Sequence, residues 1–302
     1  MSFAALKKSR KGSIDKLQKA AAEATAKKSY ADDRFWKPSR DKAGNGYAVI
    51  RFLPQPDADA TPWTEYYDHG FKGPSGQWYI EKSRTTLGES DPVTDYNSKL
   101  WNSVDSDNTP ERRQAREQKR RRNFVANVLI VSDSANPENE GKVMLYKFGK
   151  KIFDKLMDAM QPQFEDEDPV NPFDMWEGAD FKLKIRANEH GWPNYDKSEF
   201  ASPAAVADDD DEIEKVYNNL YDLSEFTDPD TFKSYDELKE KLDRILGLNN
   251  GTNREATLDE EEKLGDEEEA PTQKQEARKD PLEDDDGDDD SMSYFSKLAS
   301  ED

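Results

Sequence analysis

Residues 124–131 read FVANVLIV, the most strongly apolar stretch of the chain, with the length and β-branched content typical of a buried strand. Residues 47–53, YAVIRFL, form a second segment of this kind. It is bounded by the turn signal GNG at residues 44–46 and by Pro54, which does not continue a strand. These two segments predict a core built on β-structure.

Other segments extend this pattern in both directions along the chain. Strands are predicted over Thr64–Phe71, Trp78–Glu81, Val143–Phe148 and Phe181–Arg186. Residues 150–160, KKIFDKLMDAM, fit an amphipathic helix between the last two of these strands. Several short strands with one intervening helix predict a mainly β fold with some α-structure, and an OB-fold, a partly open five-stranded barrel, as its core.

Two further regions belong to the predicted core domain without belonging to the barrel. Residues 83–123 are polar and poor in apolar residues, so we expect an excursion from the barrel there. Two C-terminal helices are predicted at about residues 211–223 and 232–246, the second ending before Gly247.

The charge distribution divides the 302 residues into three parts. The net charge is −22, yet residues 1–28 hold eight Lys or Arg against two Asp or Glu, a balance of +6. Residues 248–302 hold six against twenty, a balance of −14. We therefore predict a basic N-terminal arm over 1–28, a folded core over 29–247, and an acidic tail over 248–302 that is disordered because it is too poor in apolar residues to fold.

Several classes of protein are disfavoured by what the sequence lacks. There is no cysteine, so neither disulfides nor thiolate metal sites are expected. The sequence contains no nucleophile elbow, Walker-type loop or zinc-protease pattern, and has two histidines. No apolar run resembles a signal peptide or a transmembrane helix. We therefore expect a soluble intracellular protein that is not an enzyme and does not bind membranes.

A concentrated basic run precedes the strongest strand, at residues 111–124, ERRQAREQKRRRNF. Such a density of cations in an acidic protein favours a surface that follows a phosphate backbone. The alternative is a solvated basic helix or loop. The candidate DNA-binding cations of this run are Arg112, Arg113, Arg116, Lys119, Arg120, Arg121 and Arg122.

Aromatic residues interleaved with cations form the second candidate feature. Rings on which bases stack, beside cations that hold phosphates, are the usual platform for single-stranded nucleic acid. The alternative is that most of these rings are core, which we prefer for Phe148 and Phe153. Trp192 and Tyr195 lie in the turn-rich segment HGWPNYD, where exposure is expected. The candidate residues are Phe124, Tyr146, Lys147, Lys150, Lys151, Trp192 and Tyr195.

Taken together, several segments resemble the single-stranded DNA-binding (helix-destabilising) proteins of T4-type bacteriophages. The segments are AGNGYAVIRFLP (43–54), DHGFKGPSGQWYIE (68–81), NPENEGKVMLYKFGKKIFDKL (136–156), NYDKSEF (194–200) and FKSYDELKEKL (232–242). The resemblance implies an OB-fold whose aromatics stack on bases, an N-terminal arm that contacts the neighbouring subunit, and an acidic tail that recruits replication proteins.

The resemblance also assigns roles to particular residues. It places Tyr146, Trp192 and Tyr195 at base-stacking positions, with Phe124 at a further aromatic position, and makes the basic run ending at Arg122 the family's cationic segment. In the arm, the self-association residues would be Lys7, Lys8, Ser9, Arg10 and Lys11. In the tail, the candidate contacts for partners such as a helicase loader, a polymerase and a recombination mediator are Tyr294, Phe295 and Leu298.

The residues at one set of positions, the zinc ligands, differ from those of the family. The best-known members hold zinc with one His and three Cys, and His69 matches the His. The Cys positions fall on Ser83, Asp91 and Thr94, and hydroxyls with one carboxylate are poor zinc ligands compared with thiolates. We therefore expect no metal or other cofactor.

The resulting hypothesis is cooperative, largely sequence-independent binding of single-stranded DNA in phage replication, recombination and repair. The protein would act in the cytoplasm of the infected bacterial host. Two alternatives remain open at this point. One is an acidic adaptor whose barrel, arm and tail bind other proteins, and the other is an RNA-binding regulator that uses the same platform.

Overall fold

The structure of the protein is a computed structural model that describes residues 32–248 apart from 165–166 and 190. The arm predicted over 1–28, with Lys7, Lys8, Ser9, Arg10 and Lys11, lies outside the described residues. So does the tail beyond Leu248, with Tyr294, Phe295 and Leu298.

Nine strands are found within the described residues. They are β1 Phe35–Trp36, β2 Gly46–Phe52, β3 Trp63–Lys72, β4 Trp78–Lys82, β5 Arg121–Ser132, β6 Val143–Phe148, β7 Asp180–Ala187, β8 Pro193–Asn194 and β9 Glu199–Phe200. Every strand predicted from the sequence is present, and the bounds of β6 agree with the prediction. The strand predicted at 124–131 begins three residues earlier, so the last two arginines of the basic run belong to it.

The twelve-residue strand β5 organises the sheet. It pairs antiparallel with β6 along one edge. Along its other edge, its first half pairs with β3 and its second half with β2, also antiparallel. The sheet continues from β2 to β7 and from β3 to β4, while the short β1 runs parallel to β6. Within the described residues no strand pairing closes this sheet into a barrel.

Both faces of β5 are buried, which explains its nearly continuous apolar sequence. Phe124, Ala126, Val128 and Ile130 point into the main core, which is dominated by aromatic rings. The alternate residues point to the opposite face, where the segment before β7 and segments that follow β9 in the sequence cover them. On that face Val125 belongs to a buried cluster with Leu223 and Phe226, and Leu129 belongs to one with Met175 and Ile213.

Five α-helices are found within the described residues. They are α1 Pro92–Asn102, α2 Pro110–Glu117, α3 Lys150–Met160, α4 Asp210–Tyr217 and α5 Tyr235–Leu246. The bounds of α3 agree with the prediction, whereas α4 is shorter than the predicted 211–223. Helix α5 ends before Gly247, as predicted, and starts three residues later than predicted. A capping box formed by Ser234 and Glu237 begins it, and Gly247 adopts the left-handed conformation after it. No helix in this part of the chain combines the length and apolar character needed to cross a bilayer.

The excursion over residues 83–123 has a small core of its own. Helices α1 and α2 pack together, and α1 also packs on α5. Val93 of α1 lies in a buried cluster with Phe71 and Tyr79 of the β3–β4 hairpin and with Leu238, Leu242 and Ile245 of α5. The predicted excursion is therefore a helical layer that is attached to the β3–β4 hairpin and closed by the C-terminal helix.

Candidate nucleic-acid interface

The basic run folds into α2, a short connection and the start of β5, and it lines a cleft of about 390 Å³. Gly70 forms part of the wall because its missing side chain leaves room for the guanidinium of Arg121. One carboxylate, Glu117, also lines the cleft. The cations that line it are Arg116, Lys119, Arg120, Arg121, Arg122 and Lys150. Sequence positions from the basic run and from the start of α3 therefore meet at one surface.

Carboxylates behind the cleft hold several of these cations in place. Asp68 is buried and accepts from Nε of Arg121 at 2.8 Å and from Nζ of Lys147 at 3.1 Å. Burial raises the pKa of Asp68, but Lys147 and Arg121 lower it by more, so that its net shift is downward and the carboxylate stays charged. Arg122 donates through Nε and Nη2 to both carboxylate oxygens of Glu65, at 2.8 and 2.9 Å.

Two arginines of the basic run are engaged in holding the α1–α2 connection. Arg112 donates to the carbonyl oxygens of Trp101 and Val104, at 3.3 and 2.8 Å, and to Asp107, and its guanidinium lies 4.5 Å from the Trp101 ring centre. Its side chain is 16% exposed. Arg116 also contacts Asp107 and the Trp101 ring. This geometry gives Arg112 a structural position, in contrast to the exposed Arg113 on the same helix.

Arg120 and Lys150 also belong to the cleft wall. Arg120 lies over the ring of Tyr67, 4.1 Å from its centre, a cation–π arrangement that fixes the guanidinium at the cleft wall. Lys150, in the first turn of α3, contacts Asp154 one turn later at 2.8 Å, and Lys151 beside it is exposed. The cleft therefore presents several cations whose long side chains can reach a bound polyanion.

Phe124 and Tyr146 do not offer exposed faces to a base in this structure, which corrects the expectation that they lie on an open platform. Phe124 is fully buried, and its ring stacks on Phe153 with centres 4.0 Å apart. Tyr146 lies opposite Ala126 on the core side of the sheet and packs edge-on against Trp36. Burial raises the pKa of Tyr146 well above its ordinary value. Phe148 and Phe153 pack in the same core, as preferred from the sequence.

Trp192 and Tyr195 lie in the hairpin between β7 and β8 and just after it. Trp192 is 64% exposed, as expected. Its carbonyl oxygen accepts from the backbone N–H of Asn188, and its own N–H donates to the side-chain oxygen of Asn188, so these two bonds close the hairpin. Tyr195 is half-buried against the main core. The carbonyl of Asp196 accepts from Nζ of Lys155 at 3.1 Å, which ties this segment to α3.

Tyr47, the ring of a second cationic surface, was not singled out from the sequence. A shallow groove of about 560 Å³ opens between the start of β2 and the end of β7. Tyr47 and three cations, Lys184, Arg186 and Lys197, line it. The signal was available, because Tyr47 has the opposite strand parity to the buried Ala48 and Ile50.

Of the four positions that correspond to the zinc ligands of T4-type proteins, His69 and Asp91 lie in contact, and the other two hold Ser83 and Thr94. Oγ1 of Thr94 is buried and has no hydrogen-bond partner within the described residues. Nδ1 of His69 lies 3.0 Å from the carbonyl oxygen of Gln118, and Nε2 lies 3.3 Å from Oδ1 of Asp91. Ser83 contacts the hydroxyl of Thr85. Asp91 is the N-cap of α1.

The oxygens of Asp91 are committed to backbone donors. Oδ1 accepts from the N–H groups of Val93 and Thr94, and Oδ2 accepts from that of Arg84. A set of one imidazole, two hydroxyls and this engaged carboxylate does not fit zinc. In the part of the chain that the structure describes, no group of three or more metal-ligating side chains is found.

Comparison with known proteins shows which family and which proteins this chain is similar to. The family model described as "gp32 DNA binding protein like" matches residues 44–246. The proteins named "Single-stranded DNA-binding protein" of enterobacteria phages T2 and T4 are each 42% identical over 219 residues, 70% of this chain and 70% of theirs. A protein of the same name from Escherichia phage SV14 is 48% identical over 66 residues, 21% of this chain and 58% of its own. These relatives are binding proteins and not enzymes. This chain belongs to the gp32-like family of DNA-binding proteins.

Proposed function

We propose that this protein binds single-stranded DNA with little sequence preference and without catalysis. The observation that carries the proposal is the cleft lined by six Lys or Arg side chains in a chain whose net charge is −22. A concentrated positive surface on an acidic protein attracts polyanions locally while the rest of the molecule repels them. The names of the phage T2 and T4 relatives support single-stranded DNA as the polyanion.

In the proposed mechanism, cations that the protein already holds in place bind the phosphate backbone at the cleft. Cations held by Asp68, Glu65 and Asp154 keep their positions before DNA arrives. Their remaining donors then contact phosphates, which fix the strand without reading its sequence. The exposed ring of Trp192 and the half-buried ring of Tyr195 add stacking, which tolerates any base because every base has a π face.

The finer features of the proposal follow from the family. We infer an OB-fold for the core, roles in phage replication, recombination and repair, and action in the cytoplasm of an infected bacterium. Residues 1–28 would dock on the next subunit and make binding cooperative. The acidic residues 248–302 would recruit replication proteins through Tyr294, Phe295 and Leu298.

Binding of poly(dT), duplex DNA and RNA at two salt concentrations tests the function directly. We expect the tightest binding to poly(dT), because a duplex hides the base faces, and a steep loss of affinity as salt rises. A variant without residues 1–28 should bind a short oligonucleotide as the full chain does, while losing cooperativity on long poly(dT). Preferred binding to RNA would favour the regulator alternative, and failure to bind any of the three polymers would favour the adaptor.

Loss of the two hairpin-segment rings gives a residue-level prediction. Trp192→Ala and Tyr195→Ala should each weaken binding to oligo(dT) by about 1–3 kcal/mol if the ring stacks on a base. The matched control is Tyr217→Ala, which removes a 43% exposed ring from α4, among acidic residues. Fluorescence titration measures the affinity, and circular dichroism checks the fold. Unchanged affinity in the folded Trp192 and Tyr195 variants would remove these rings from the interface.

A further inference from the structure

Tyr47 stands at the start of β2 on the side of the strand away from the main core. Ala48 and Ile50, which point to the opposite face of the strand, are buried, whereas Tyr47 is 52% exposed. In the antiparallel register it lies directly opposite Lys184 of β7. Cross-strand partners of this kind have their side chains close together on the same face, so the ring and the ammonium group form one surface.

The cations of this groove differ in their engagement from those of the basic cleft. Lys184 contacts Glu199 at 2.7 Å. Arg186 and Lys197 are exposed, and neither forms a salt bridge within the described ranges. In the basic cleft, by contrast, Arg121, Arg122 and Lys150 each contact a carboxylate. A phosphate at the groove therefore meets two cations that it does not have to share with an acid.

The groove and the cleft lie at opposite ends of β5. Arg121 begins the strand beside the cleft, and Ser132 ends it opposite Val49, two residues from Tyr47. Eleven steps along a strand cover about 36 Å at roughly 3.3 Å per residue. A polymer that reaches both surfaces must therefore be much longer than one that fills the cleft.

We propose that Tyr47, Arg186 and Lys197 form a second subsite for single-stranded DNA, with the ring stacking on a base and the two cations holding phosphates. This inference rests on the proposed function. A ring beside unneutralised cations suits a nucleotide, which offers a π face and a phosphate together. The loop that carries the exposed Trp192 starts from the same strand end, one residue after Ala187, which also lines the groove.

Oligo(dT) titrations of different lengths test the subsite. Tyr47→Ala should lower the affinity for long oligo(dT) about tenfold, as expected for the loss of one stacked base, while Tyr47→Trp retains it. Both variants should bind a short oligonucleotide that fills only the cleft as the unchanged protein does. The control Tyr217→Ala should change neither affinity. Thermal unfolding of each variant shows that the fold is kept.

The cations are tested by a separate variant that does not depend on the ring. The double variant Arg186→Gln with Lys197→Gln should lower the slope of log affinity against log salt by about 1.4 for long oligo(dT), since each lost contact removes about 0.7. An unchanged slope together with full binding by Tyr47→Ala would overturn the subsite and leave single-strand binding intact. If the unchanged protein itself fails to bind oligo(dT), the proposed function fails as well.

Discussion

The triple variant Lys119→Gln, Arg120→Gln and Lys150→Gln should bind oligo(dT) about a hundredfold more weakly than the unchanged protein at 0.1 M salt. All three side chains line the basic cleft, at the α2–β5 connection and the start of α3. Each phosphate contact on a single strand contributes about 0.7 to the salt slope, which is about fivefold in affinity at 0.1 M salt. Three lost contacts therefore multiply to about a hundredfold, and the difference should nearly vanish at 1 M salt.

A control variant separates contact with DNA from the change in net charge. Replacing Lys142, Lys215 and Lys239 by Gln removes the same number of charges from exposed positions that line neither cationic surface. We expect this control to keep the salt slope of the unchanged protein, with a small loss in affinity from the weaker long-range field. If both triple variants lose affinity equally, the cleft does not hold the strand and the basic run acts through net charge alone.

The strands were predictable because burial on both faces or on one face leaves a direct mark on the sequence. FVANVLIV and FKLKIR show the two patterns, and the structure places them in β5 and β7. The pattern of apolar residues does not reveal whether the sheet closes into a barrel. The number of strands predicted a barrel, whereas pairing within the described residues leaves the sheet open, because pairing depends on contacts between segments distant in sequence.

Helices α1 and α2 were missed although each begins with a clear signal. Asp91-Pro92 and Thr109-Pro110 place a capping side chain directly before a proline in the first helical position. Their sequences are too polar to show an apolar stripe. The buried residues are Pro92, Val93 and Asn97 in α1 and Ala115 alone in α2. Capping signals would therefore have identified these helices where periodicity did not.

The candidate site was predictable in composition and less so in the role of each residue. The basic run did converge on one cleft, but Arg112 turned inward because the carbonyls of the α1–α2 connection need donors. Phe124 and Tyr146 are aromatic residues near cations, as Trp192 is, but they lie in β5 and β6, where both strand faces are buried at these positions, whereas Trp192 lies in a loop. Tyr47 was overlooked because it stands inside an apolar segment. In each case the position of the residue in the fold decided the role, and residue type did not.

Asp91→Ala should lower the free energy of unfolding by about 3 kcal/mol, the sum of a lost N-cap and of buried donors left without an acceptor. Asp91 is buried, caps α1 and also accepts from the backbone of Arg84, beside His69. Burial raises the pKa of Asp91, but His69 and the backbone N–H groups lower it by more, so the carboxylate is charged in the fold. Chemical denaturation followed by circular dichroism gives the value.

Asp209→Ala is the matched control, because Asp209 caps α4 through the same type of bond but is exposed. It should cost about 1 kcal/mol, the usual value for a surface cap. The difference between the two variants then measures what Asp91 adds at a position where the resemblance implies a zinc-binding cysteine in T4-type proteins. We propose that this carboxylate joins β3, the Arg84 turn and α1 without metal. A chelator should therefore leave the unfolding curve of the unchanged protein in place, whereas a shift to lower denaturant, or equal costs for Asp91→Ala and Asp209→Ala, would refute this role.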